Sequence, residues 1–322
     1  MYNFKKNAKA YIVYSGATHR IDLYSDITAS QTFDEQGYKR KTLHNLTDLH
    51  DHAVVNSANP ANFSFTTPIP NSDIPPVILS LGSNYSSGTL NSFDLYIQSD
   101  NIIYILNNCV IESMAFNIEM KAVLTVSVSG TASKLSKFGN VGTVTIPGSV
   151  SADSRFNRTY SRVDRLAVTI EDNTLDSIAA LHMDLKNDIN WSGYKTVNKA
   201  VIGGIMYPDS YVLQGRTLSG SITQFITSQN SNSLFDTSTD SPIDISIYYL
   251  GYSSANSLLR FTLPSTVFTR RLNFEELINR VYDFRLNYNS AATVEPIYKT
   301  AKTATTMNFT VPANSGLIAL IN

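Results

Sequence analysis

Within nine residues, His44, Asp48, His50 and His52 gather three of the chain's five histidines and one carboxylate. On an extended segment His50 and His52 point to the same side, close enough to share a zinc or iron ion. Spacing fixes no third ligand, and neutral imidazoles in a polar loop need no metal. Solvated-loop or subunit-contact histidines are therefore expected, and no metal ligand is assigned. The single cysteine, Cys109, lies in Asn107-Asn-Cys-Val-Ile, heading into a strand with no local cation or helix N-terminus to make a thiolate. It reads as a packing residue. The acid pairs Glu171-Asp172 and Glu275-Glu276 are adjacent in sequence, so their carboxylates diverge instead of converging on one bond. Arg270-Arg271 and Lys134-Leu-Ser-Lys read as surface or inter-subunit charge. No Gly-rich loop ending in Gly-Lys, G-x-S-x-G elbow or H-E-x-x-H pair is present. No catalytic residue and no cofactor site is assigned, and an enzyme is not expected.

The composition points the same way. The 322 residues carry 25 Lys+Arg against 26 Asp+Glu, a net charge of −1. Charged residues are 16% of the chain, against about 25% in ordinary soluble proteins. Ser, Thr and Asn fill the gap. Near-zero charge excludes the electrostatic footprint of a dedicated nucleic-acid binder. Hydrophobic residues at 43% exclude a disordered polyelectrolyte. One cysteine allows no internal disulfide. The first nine residues hold three lysines, but the apolar stretch after them is only Tyr11 to Tyr14, too short for a secretory leader. No run approaches the ~18 apolar residues that span a bilayer.

The periodicity along the chain is that of strands. Phe116-Asn-Ile-Glu-Met and Leu124-Thr-Val-Ser-Val-Ser alternate apolar and polar side chains, as do Leu166-Ala-Val-Thr-Ile and Ile243-Asp-Ile-Ser-Ile. Two segments have helical spacing: Leu175 to Lys186, and Phe274 to Phe284 with Asn273 as cap. The C-terminal part of the second also reads as strand. Gly82 to Asn91 and Ser228 to Asp240 read as loops, and proline marks joints at Pro60, Pro68 to Pro76 and Pro147. Internal similarity suggests a tandem duplication. Ile111–Glu119 aligns with Val163–Glu171, Val128-Ser-Gly-Thr with Leu218-Ser-Gly-Ser, and Thr145-Ile-Pro with Thr262-Leu-Pro. The expected organisation is an N-terminal extension over 1–53, a first β unit over 54–155 and a second over 156–322.

Three segments then carry a resemblance. Asn59-Pro-Ala-Asn-Phe-Ser-Phe-Thr-Thr-Pro68 resembles the first-strand signature of tailed-bacteriophage tail tube proteins. Leu124-Thr-Val-Ser-Val-Ser-Gly-Thr-Ala-Ser-Lys-Leu135 is similar to a later strand and turn of that family, and the run from Tyr207 to Ser221 to the strand entry of a second half. The resemblance implies a mainly β fold of tandem barrel or sandwich units with one or two short flanking helices. It also implies a virion protein, assembled in the host cytoplasm, that self-assembles into stacked rings around a channel for DNA. Partners would be further copies of itself and other tail proteins such as sheath, baseplate or terminator, with no membrane. Single-barrel members form hexameric rings, and a duplicated chain reaches six barrels with three copies, so both stoichiometries stand. A channel that lets DNA slide should be neutral or acidic inside, and Glu112, Glu119, Asp164 and Glu171 are candidates to line it. The alternatives are another virion β protein (baseplate, terminator or receptor-binding fibre component) and, more remotely, a glycan-acting enzyme.

Overall fold

The structure is a computed structural model. It describes residues 8–23, 25–38, 52–70, 76–86, 89–150, 160, 162–192, 206–230, 240–249 and 259–286, with four short strands after them. Strands β1 (Lys9–Tyr14) and β2 (Ala17–Ile21) form a hairpin. Ser15 and Gly16 between them both have positive φ, 49° and 78°, the two-residue turn whose twist matches that of the strands. Short β3 (Thr28–Ser30) precedes a second hairpin of β4 (Phe33–Tyr38) and β5 (His52–Ala58). After β6 (Ala61–Pro68) comes one short helix, α1 (Val77–Ser83), and then the small hairpin β7 (Tyr85–Ser86) and β8 (Thr89–Leu90). β9 (Phe93–Gln98), β10 (Ile102–Glu119), β11 (Thr125–Ala132), β12 (Lys134–Asn140) and β13 (Ser149–Val150) complete the first half.

Strand β10 belongs to two sheets. Its first part, Ile102–Asn107, lies between β9 and β12, in a sheet that continues through β1 to β2, against which β13 pairs in parallel. Asn108 then takes a positive φ of 52°, and the register slips between Ile111 and Ser113. The second part lies between β11 and β16, in the other sheet. The two sheets face each other across an aromatic core. Phe63 stacks on Phe65 with ring centroids 6.2 Å apart, and Phe93 from the opposite sheet meets Phe63 edge-on at 6.0 Å. Each such ring stabilises the fold by about 1.5–3 kcal/mol through its burial. Residues 9–21, in the segment read as an N-terminal extension, are paired into the first sheet beside β9.

The second half holds β14 (Val163–Ile170), β15 (Asn173–Leu175), β16 (Ile178–Ser192), β17 (Ser210–Phe225), β18 (Asp240–Tyr249), β19 (Leu259–Asn273) and β20 (Asn279–Leu286). Antiparallel pairing runs from β3 through β6, β11, β10, β16, β17 and β20 to β19, and on through β18 to β14. The far end bends back, so that Val163 N–H donates to Ala122 O at 2.9 Å and Lys121 N–H to Val163 O at 2.8 Å. Phe116 on β10 meets Phe261 on β19 at 5.6 Å across this second core.

Neither helix expected from spacing forms. Residues 178–186 belong to β16, where Leu181, Met183 and Leu185 are buried at a period of two. Residues 279–284 belong to β20, and 274–278 form the turn between β19 and β20. Apolar residues at i, i+3, i+4 and i+7 also satisfy parts of an alternating pattern, and the neighbouring ladders decided the outcome. The helix that does form begins one residue after Pro76, where sequence suggested only a joint, and it takes in Gly82 and Ser83 of the expected loop. Its seven residues are too few to show a period. It is fixed from outside by buried Arg216, which donates through Nη2 to Gly82 O at 3.1 Å and Ser83 O at 2.8 Å, and through Nε to Asn187 Oδ1 at 2.8 Å. A cation at the carboxyl end of a helix complements its dipole.

Candidate functional site

Among the described residues, the chemistry suggested by single residues does not assemble. His44 and His50 lie outside the described residues. His52 begins β5, but its side chain also lies outside them. Among the described residues no three His, Cys, Asp or Glu side chains come close enough to hold a metal. Cys109 is fully buried, its thiol facing Leu106 O at 3.3 Å, and burial pushes its pKa well up. Glu171 sits in the β14–β15 turn at positive φ and accepts from Ser241. Glu275 and Glu276 are exposed in the β19–β20 turn. Arg271 forms a two-pronged pair with Asp283 at 2.9 and 3.0 Å, and the Lys134 ammonium lies 4.7 Å above the Tyr207 ring.

One cleft, of about 710 Å³, opens at the C-terminal ends of β11 and β16, beside the middle of β10. Trp191 Nε1–H donates to Thr131 Oγ1 at 2.9 Å, and Thr131 donates to Glu112 Oε1 at 2.8 Å. Burial raises the Glu112 pKa, the Thr131 hydrogen bond lowers it, and nearby Asp188 raises it again. Glu112 is the one carboxylate among the described residues lining the cleft. Glycoside hydrolysis takes two, so the cleft lacks a hydrolase pair.

What the strands do build is a surface. Cross-strand register places Asn62, Ser64 and Thr66 of β6 beside Thr131, Ser129 and Ser127 of β11. Ser129, Ser127 and Thr125 face Ser113, Ala115 and Asn117 of β10, which face Lys186, Asp184 and His182 of β16. Opposite Asp184, His182 and Ala180 stand Ser219, Ser221 and Thr223 of β17. Side chains at this parity share one face, and nearly all are half-buried or exposed while their neighbours are core. β6 and β11 carry no charge on it. Solvated sheet faces ordinarily carry charges among their polar residues, whereas this one is mostly hydroxyl and amide. Hydrogen bonds between side chains tie its strands together: Thr28 with Ser64 at 2.8 Å, Thr66 with Ser127 at 3.0 Å, and His182 Nδ1 with Asn117 Oδ1 at 2.5 Å. Asp184 Oδ2, 3.2 Å from His182 Nε2, balances that ring on its other side.

Of the four acids expected to share a surface, Glu119 alone lies on this face, at its lower end on β10. Glu112 lines the cleft, Glu171 is in its turn, and Asp164 is exposed on β14. Sequence reasoning missed the face itself, although the signal was there. Ser and Thr occupy the outward positions of consecutive strand patterns where Lys and Glu would be ordinary.

A long, hydroxyl-faced antiparallel sheet over a two-sheet core defines a mainly β protein. The family model described as the bacteriophage baseplate tube protein family matches residues 1–295, and the chain belongs to that family. It is accordingly a structural component of the phage tail and baseplate, not an enzyme. No curated protein matches the chain.

Proposed function

We propose that this protein is a ring-forming subunit of the tube, stacked coaxially with other rings at the baseplate end of the tail, and that its hydroxyl-rich sheet face lines the channel through which DNA passes. The observation that carries this is the face: broad, polar and without a cluster of cations. DNA carries one negative charge per about 1.7 Å, and each lysine or arginine that meets a phosphate adds salt-dependent affinity. A surface past which DNA slides must avoid that gain. A hydroxyl-rich face does so while staying wet. Of its charges, Asp283 pairs with Arg271 and Asp184 lies beside His182, while Lys186 on β16 and Arg285 on β20 are exposed on strands that are not neighbours.

The chain itself reads as two β units divided between 150 and 162 and fused where β10 pairs with β16. The two units pack alike, although Phe63 precedes its glycine in the chain and Phe284 follows its own. Gly130 of β11 lies opposite Phe63 of β6, and Gly220 of β17 opposite Phe284 of β20, with each ring pressed over its glycine. β11 and β17 run in opposite directions across the joined sheet, so the two blocks are related by a half-turn and not by a step around a ring. That favours six copies per ring over three.

Negative-stain microscopy of concentrated protein, with light scattering beforehand, tests the proposal. Rings with a central hole of about DNA width, alone or in stacks, are the expected result. Stacks without limit point to a repeating tube subunit, and single rings to a baseplate adaptor. A protein that stays monomeric at every concentration rules the ring out.

A further inference from the structure

The cleft beside Glu112 has a chemistry that the channel reading does not use. Its volume of about 710 Å³ is that of a ligand pocket. Thr131 has a single O–H, which goes to Glu112 Oε1, and its lone pairs take the Trp191 N–H. One short chain of hydrogen bonds therefore fixes the carboxylate and the indole together. Among the described residues, Glu112 Oε2 receives no hydrogen bond.

The charge around the cleft is one-sided. No lysine or arginine stands among its described lining residues, where Glu112 is joined by asparagine, serine and threonine side chains. Asp34 lies behind the rim and accepts from two lining residues, Ser57 Oγ and Asn59 Nδ2, each at 3.2 Å. Asp188 acts on Glu112 from β16. Burial and the Asp188 charge both oppose ionisation of Glu112, so a cation arriving at its carboxylate offsets a cost that the Thr131 hydroxyl offsets only in part. The other wall is aromatic. Trp191 is half-buried and steadied by the Tyr211 ring at 5.3 Å. At the rim the Lys134 ammonium already lies over the Tyr207 ring, the contact that such a wall offers a cation.

A group suited to this place brings hydrogen-bond donors, a positive charge and a flat face. Guanidinium has all three: five N–H donors, no acceptor, and a weakly hydrated plane that stacks on aromatic rings. An ammonium brings the charge without the plane. We propose that the cleft binds the guanidinium of an arginine presented by a partner protein, with N–H groups donating to the Glu112 carboxylate and the plane against Trp191. Charge complementarity selects the partner, and a basic turn that projects far enough to enter the cleft is the shape it fits. The site does not depend on the ring proposed above.

Trp191 is the chain's one tryptophan, so its fluorescence, excited selectively, reports this cleft. Nα-acetyl-arginine amide titrated into the full chain at pH 7 should give a saturable change, with a dissociation constant of about 1 mM for a ligand of that size. Nα-acetyl-citrulline amide has the same shape without the charge and should give none. The corresponding lysine derivative should bind at least about tenfold more weakly, as should the arginine derivative to Glu112→Gln, whose fold circular dichroism checks. No saturation far above that concentration, an equal response to citrulline, or an unchanged affinity in Glu112→Gln overturns the site. Rings that fall apart as the arginine derivative saturates would assign the arginine to another copy of this chain and overturn the separate partner.

Discussion

Glu112 is held between two demands. Its carboxyl is partly withdrawn from water, which raises its pKa, and it accepts a hydrogen bond from Thr131, which lowers it less. With the folded pKa raised, the folded chain holds the proton more tightly than the unfolded chain. The stabilising contribution is present below the ordinary glutamate pKa of ~4.3 and is lost as pH rises through the folded value. Glu112→Gln keeps the acceptor and removes the charge. Urea melts of both proteins should coincide more closely near pH 4 than near pH 7, with the variant the more stable at pH 7. Gly130 and Gly220 answer to shape alone. A Cβ at Gly130 would lie 2.6 Å from Phe63 Cζ and against Val110 O, and one at Gly220 would lie 2.5 Å from Phe284 Cζ and against His182 O. Gly130→Ala and Gly220→Ala should each cost about 1–3 kcal/mol through overpacking. A cost at one position and none at the other would mean that the two blocks do not pack alike. Sequence showed both glycines as parts of matching Ser-Gly motifs. It could not show the phenylalanines above them, which come from strands 67 and 64 residues away in the chain (130 − 63 and 284 − 220).

At the level of elements, alternation found most strands and misread two as helices. The difference lies in what surrounds them. β16 is ladder-bonded on both sides, to β10 and β17, and those partners override the helical spacing. Of the run from Phe274 to Phe284, only the second part joined a ladder. The first became the β19–β20 turn, where Phe274 is 77% and Leu277 63% exposed. Phe274→Ser with Leu277→Ser should therefore shift stability by no more than about 0.5 kcal/mol per site. Phe284→Ala, ten residues from Phe274, should cost about 3–5 kcal/mol. Thermal or urea unfolding of the two variants decides it, since a large loss from the turn variant would mean that those side chains pack after all.

Across the whole molecule, the absence of charge was legible from composition, but its location was not. Residues such as Ser64, Ser127, Ser113 and Ser219 come from four strands, and only the register brings them onto one face. The acids proposed from sequence scattered because alternation decides the face: Glu112 and Glu119 are seven residues apart on one strand, an odd interval, while Asp164 and Glu171 lie on β14 and in its turn. If DNA glides over this face, placing cations there should make it stick. Ser127→Lys with Ser219→Lys and Ser221→Lys should bind duplex DNA with an affinity that falls steeply with salt, whereas the parent protein shows little binding under the same conditions. Equal binding by both proteins would put DNA elsewhere.

Strand β10 runs unbroken from one sheet into the other, and the consequence is mechanical. A pull along the strand loads the hydrogen bonds to its neighbours in shear, many at once, whereas the β19–β20 tip is opened one rung at a time. Force applied to either sheet thus reaches the other through the backbone itself, and the two would be expected to yield together, with β10 the last element to part.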